Sequence, residues 1–128
     1  MLKKIETSRA PAAIGPYSQA IAFTDLVFTS GQLPLIPETM IFPEGGIKEQ
    51  TRQSLENLKA VLEASGASLE SVMKTTCFLA EMSHFAEFND LYQVFFNGAA
   101  PPARSCIQAG KLPKGALVEI EAVAYRLP

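Results

Sequence analysis

Arg104, Cys106 and Gln108 alternate along PPARSCIQ (Pro101–Gln108), and Glu119 and Glu121 alternate along VEIEAVA (Val118–Ala124). In an extended chain alternate residues share a face. If these two segments pair as strands, as the short Gly- and Pro-containing connection between them suggests, a guanidinium, a thiol and carboxylates converge. The planar guanidinium fork suits a substrate carboxylate held by two parallel hydrogen bonds. A glutamate beside it can orient a water molecule or take its proton. The same pattern also fits a structural Arg–Glu ion pair at an interface.

Other reactive side chains are sparse. Cys106 has no partner for nucleophilic catalysis, because the chain's one histidine, His84, stands at the start of a helical segment. A strand thiol is then read as a small core hydrophobe, and His84 as a solvated or capping residue. One histidine makes no metal site, and no metal is expected. Tyr17 follows Gly15-Pro16 at a strand start; its hydroxyl can reach a pocket or its ring can pack half-buried in the core. No GxGxxG, GxxxxGK[ST] or HExxH motif occurs, and Gly45-Gly46 reads as a loop before a helix.

The elements that position these residues follow from periodicity. Tyr17–Phe23 and Leu26–Gln32 read as two strands joined at Thr24-Asp25, ended by Pro34 and Pro37. Ile47, Thr51, Leu55, Leu58 and Leu62 recur at helical spacing, closed by Gly66 at a C′ position. VMKTTCFL (Val72–Leu79) is a strand. A second helix runs from Ser83, as N-cap, to Phe96, with Phe85, Phe88, Tyr92 and Phe95 on one stripe. Arg104–Gln108 and Leu117–Tyr125 are strands, with a turn over Leu112–Gly115. The expectation is an α+β layer, two helices on one face of a mixed sheet. In the last strand Val118, Ile120, Ala122 and Ala124 point one way. Leu117, Val123 and Tyr125 share the other face with Glu119 and Glu121, which two helices cannot also cover. That second face is expected to meet another subunit.

Composition bounds the rest. With 128 residues, 48% hydrophobic and 19% charged, the chain is expected to form one domain over residues 1–128, with less charge than usual. A net charge of −2 without a Lys/Arg cluster gives no footprint for a nucleic-acid backbone. No apolar run is long enough for a membrane helix, and Lys3-Lys4 is not followed by a signal-like segment. Cys77 and Cys106, far apart, read as reduced thiols of a cytoplasmic protein.

IGPYSQA (Ile14–Ala20), TSGQLP (Thr29–Pro34), EQTRQSLENLKAVLEASG (Glu49–Gly66), PPARSCI (Pro101–Ile107) and VEIEAVA (Val118–Ala124) stand in one order along nearly the whole chain. Together they resemble the YjgF/RidA family of reactive-intermediate deaminases. The resemblance implies a chorismate-mutase-like fold assembled as a homotrimer, sheets inward and helices outward, with active-site clefts between subunits. It implies hydrolysis of 2-enamine/2-imine acids such as 2-iminobutanoate and 2-iminopropanoate to 2-oxo acids and ammonia, without a metal or organic cofactor. Carried over by motif, Arg104 binds the substrate carboxylate, helped by the backbone N–H of Cys106, and Glu119 positions or activates water. Tyr17, Ser30, Gly31 and Asn89 line the cleft. The pattern departs at Thr39-Met40, where a glycine commonly follows the threonine. Two other activities share this outline: a non-catalytic regulator that binds small carboxylates, and an endoribonuclease or translation inhibitor.

Overall fold

The computed structural model describes residues 1–128. Six strands, β1 (Leu2–Ile5), β2 (Ala20–Phe23), β3 (Leu26–Thr29), β4 (Val72–Leu79), β5 (Ala103–Gln108) and β6 (Val118–Tyr125), form one sheet in the order β1-β2-β3-β6-β4-β5. Helices α1 (Ile47–Ala64) and α2 (Phe85–Phe95) pack on each other, and α1 packs on β6. The sheet is mixed: β4 and β5 run parallel and the other pairs antiparallel. No helix is long and apolar enough to cross a membrane.

The expected α1 face is the buried one. Ile47, Thr51, Leu55, Leu58 and Leu62 are all buried, and they meet Val118, Ile120, Ala122 and Ala124 of β6 in the core. The helix ends as Gly66 predicts. Gly66 takes φ +84°, and the N–H groups of Gly66 and Ala67 reach back to Glu63 O (3.1 Å) and Leu62 O (2.9 Å), satisfying two orphan carbonyls. At the other end Gly46 occupies the cap position and donates its N–H to Glu49 Oε1 at 2.8 Å.

Several expectations need correction. β5 does not pair with β6. It lies parallel to β4, Thr75 opposite Arg104 and Cys77 opposite Cys106, while β6 takes the other edge of β4. The physical reason is burial: β4 alternates buried and half-buried side chains and suits the sheet interior, whereas every β5 residue is half-buried or exposed, as an edge strand allows. Ser83 does not cap the second helix. It lies in a one-turn 3-10 segment, Met82–His84, and His84 holds the cap position of α2 without a side-chain capping bond. The strand expected from Tyr17 begins only at Ala20, because Gly15 (φ +121°) and Pro16 turn the chain and Tyr17 N–H closes back on Gly15 O at 2.9 Å. The strand from Leu26 ends at Thr29, with Gln32 rejoining β6 as an isolated bridge to Ile120. β1, an edge strand against β2, has no counterpart in the sequence reading.

Candidate functional site

Two clusters gather the residues singled out above, and they lie on opposite faces of the sheet. Register decides this. Thr75 stands opposite both Arg104 and Ala122, so Arg104 shares the helix-covered face. Phe78 stands opposite Glu119 and Thr76 opposite Glu121, so the two glutamates share the face without helices.

On the helical face, α2 shapes the surroundings of Arg104. Phe85, Phe88 and Tyr92 of α2 and Phe96 at its C-cap, in place of the expected Phe95, stack in series at centroid spacings of 6.5, 5.6 and 4.6 Å. The Tyr92 hydroxyl is fixed by Thr75 Oγ1 at 2.7 Å. The guanidinium carbon lies 4.7 Å from the Tyr92 ring centroid and 5.4 Å from that of Phe85. Arg104 Nη1 donates to Asn89 Oδ1 at 2.7 Å. Both ion pairs within the chain lie elsewhere, Lys4–Glu6 and Arg9–Glu63, so Arg104 meets no carboxylate of its own chain. Arg104 lines an open cleft of about 670 Å³ together with Gln93 and Asn97.

Backbone polarity extends this cluster. Ala109 N–H donates to Leu79 O at 2.9 Å, and alternation along a parallel ladder then turns the N–H groups of Arg104 and Cys106 to the free edge. Burial raises the Cys106 thiol above its ordinary range, an effect the nearby Arg104 only partly offsets. Cys77 is pushed up to about 12, chiefly by burial. Neither thiol is poised as a thiolate.

On the other face Tyr17, Ser30, Gly31 and Glu119 line one cleft of about 500 Å³. Glu119 projects from β6 where β3 departs from the ladder. Thr29 Oγ1 accepts the Ala122 N–H at 3.0 Å, Ser30-Gly31 bow outward, and Gln32 N–H rejoins Ile120 O at 2.8 Å. Gly31 lets the Glu119 carboxylate lie against the backbone there; a Cβ would displace that side chain, whose Cδ lies 2.8 Å from the Cβ position. Ser30 is anchored by its hydroxyl to Ser18 O and by its N–H to Gln19 O. Tyr17 is 52% exposed, so it is not the half-buried core tyrosine of the alternative reading, and its hydroxyl accepts Ile14 N–H at 3.4 Å. Burial lifts the Glu119 carboxyl above the usual carboxylate range, with a smaller contribution from the Glu121 charge. No three His, Cys, Asp or Glu side chains cluster as metal ligands.

The residues that hold this cleft open were not singled out by spacing. Ser54 and Asn57 are buried on α1; Ser54 Oγ donates to Gln32 O (2.7 Å) and Asn57 Nδ2 to Leu33 O (2.9 Å) and Leu35 O (2.8 Å). The signal was a stripe of polar residues, Gln50, Ser54 and Asn57, beside the expected one. Asn57→Ala leaves one buried and one part-buried carbonyl without this donor and is expected to cost about 2–4 kcal/mol in urea unfolding. A loss below about 0.5 kcal/mol would show that the segment is held by packing instead.

Comparison with known proteins follows the same outline. A family model described as Endoribonuclease L-PSP matches residues 7–126. A RutC family protein of Pyrococcus horikoshii is 48% identical, covering 98% of this chain and 99% of its own. The 2-iminobutanoate/2-iminopropanoate deaminase of Escherichia coli is 44% identical over 98% of this chain and 99% of its own. The crystal structure of E. coli TdcF with bound serine superposes with a TM-score of 0.93 at 46% identity, over 98% of this chain and 99% of that one.

Proposed function

The chain belongs to the Endoribonuclease L-PSP family, which is the YjgF/RidA family, and from that premise we propose that it is a hydrolytic deaminase of small 2-enamine/2-imine acids. Arg104 is the observation that carries the reading: a half-buried guanidinium, stacked on two rings and steadied by Asn89, that meets no carboxylate within its own chain. A bound 2-imino acid supplies one. Near relatives named as imine deaminases support the same chemistry.

The active cleft in this proposal lies between subunits. Arg104 and Glu119 cannot meet within one chain, because they project from opposite faces with β4 between their strands. The helix-free face keeps Phe23, Leu26, Phe28 and Tyr125 37–48% exposed, an apolar patch suited to burial against a second copy. A closed homotrimer with a chorismate-mutase-like arrangement, sheets inward, would bring the Arg104 edge of one chain to the Glu119 cleft of the next.

In that arrangement Arg104 and the outward Cys106 N–H hold the substrate carboxylate and fix the position of C2. Water, oriented by Glu119 and the Tyr17 hydroxyl, adds to C2 of the protonated imine while Glu119 accepts its proton. The resulting carbinolamine carries hydroxyl and amine on one carbon. Proton return to nitrogen releases ammonia as the C2 carbonyl forms, so imine plus water gives 2-oxo acid plus ammonia with no redox change. Ser30 and Gly31 line the wall, and no cofactor is called for.

The test is a semicarbazide-trapping assay in which an amino-acid oxidase generates the imine. Wild type should divert 2-iminobutanoate from semicarbazone to 2-oxobutanoate; a rate equal to the uncatalysed one would refute the deaminase. The reading of a non-catalytic carboxylate-binding regulator draws on the serine bound to TdcF. It predicts ligand binding that needs Arg104 but not Glu119. The endoribonuclease activity in the family's name finds less support here, with 11 Lys and Arg against 13 Asp and Glu and one histidine.

A further inference from the structure

Three non-glycine residues have positive φ: Thr24 at 53°, Met40 at 59° and Lys114 at 58°. Thr24 belongs to the two-residue connection between β2 and β3, where hairpin geometry calls for that conformation. Met40 and Lys114 both line the Glu119 cleft. For Met40 the backbone alone gives no reason for the residue type. Its turn is closed by Met40 N–H to Ile36 O at 2.7 Å and Ile36 N–H to Ile41 O at 2.9 Å, which glycine would form with less strain. What methionine adds is a flexible apolar arm on the cleft wall, beside Leu33, Leu35 and Ile14.

The cleft lining is mixed: Tyr17, Ser30, Gly31 and Glu119 are among its polar residues, and Ile14, Leu33, Leu35 and Met40 among its apolar ones. On one chain this cleft measures about 500 Å³, before the neighbouring subunit closes it. Ile14, one of the lining residues, is 70% exposed on the isolated chain.

We propose that Met40 is a specificity-determining residue, forming with Ile14 and Leu33 a subsite for an aliphatic or thioether substrate side chain. This rests on the deaminase reading and names its substrate class: 2-imino acids with leucine- or methionine-sized side chains are preferred over 2-iminopropanoate. The carboxylate is held by Arg104 of the neighbouring chain, C2 faces Glu119, and the side chain lies along the Met40 wall.

The experiment compares wild type, Met40→Gly and Met40→Ala by kcat/KM for leucine-derived and alanine-derived imines. The leucine-to-alanine ratio should fall by about tenfold in both variants, the scale of discrimination a hydrophobic pocket gives. Met40→Gly relieves the left-handed strain, so its thermal midpoint should equal or exceed that of wild type. A separate readout is the affinity of 4-methyl-2-oxopentanoate relative to pyruvate, measured by calorimetry. If wild type hydrolyses no imine, the deaminase reading falls, while the affinity ratio still decides Met40. If wild type is active and neither ratio changes, the Met40 subsite is wrong and the deaminase stands.

Discussion

Arg104→Ala is expected to remove carboxylate binding and turnover from a protein that remains folded. In the cleft between subunits the guanidinium would face the substrate carboxylate largely out of water. Truncating one partner of such a hydrogen-bonded charge pair costs on the order of 2–5 kcal/mol. At about 1.4 kcal/mol per decade, kcat/KM should fall by roughly 30-fold to several thousandfold. The structural cost is smaller: the guanidinium stacks on Tyr92 and Phe85 at a half-exposed edge, an interaction worth about 0.5–1 kcal/mol. Arg104→Lys should fall between the two, keeping charge but losing the fork that can hold Asn89 and a carboxylate together. Imine trapping for turnover and calorimetry with 2-oxobutanoate for binding read both effects. Full activity in Arg104→Ala would remove the basis of the site.

Glu119→Gln should lower kcat by about 10²–10⁴-fold, the range for loss of a positioned proton acceptor, while binding of the 2-oxo acid product persists. Its stability effect has a definite sign. Burial raises the Glu119 carboxyl above its ordinary value of 4.5, with Glu121 adding to the shift. A carboxyl raised on folding stabilises the fold below its unfolded pKa and loses that contribution as pH rises through the folded value. At neutral pH the ionised side chain is a cost, so the glutamine variant should melt at the same temperature or higher. The wild-type acidic limb of kcat/KM should lie above 4.5 and vanish in Glu119→Gln. A limb that survives the substitution belongs to another group. Ligand binding with unchanged turnover in this variant would favour the regulator.

Much of the architecture was legible because it rests on local periodicity. The α1 stripe, the Gly66 terminus and the bounds of β4 all follow from spacing that burial then enforces. Strand pairing did not follow, because closeness in sequence between Pro101–Gln108 and Val118–Ala124 suggested a hairpin. The better signal was the order β4-α2-β5: a strand, a helix and a strand of this length form a parallel crossover, which places β5 beside β4. Alternation correctly put Arg104 with Cys106 and Glu119 with Glu121, but only sheet order shows that the two sets face opposite ways. Tyr17, Ser30, Gly31 and Asn89 carried no strong signal beyond family resemblance, since bends and bulges expose them. Met40 drew notice only as a departure from pattern; its φ and its place on the cleft wall came from the fold.

The most direct test of a deaminase site shared between chains mixes two inactive variants. Arg104→Ala and Glu119→Gln subunits, unfolded and refolded together in equal amounts, form interfaces in which the intact Arg104 of one chain meets the intact Glu119 of the other. Random assembly into a closed ring makes about one interface in four of this kind, so imine hydrolysis should return to about a quarter of the wild-type rate while each variant refolded alone stays inactive. No recovery in a mixture whose subunit exchange is verified by mass would contradict a site built from two chains.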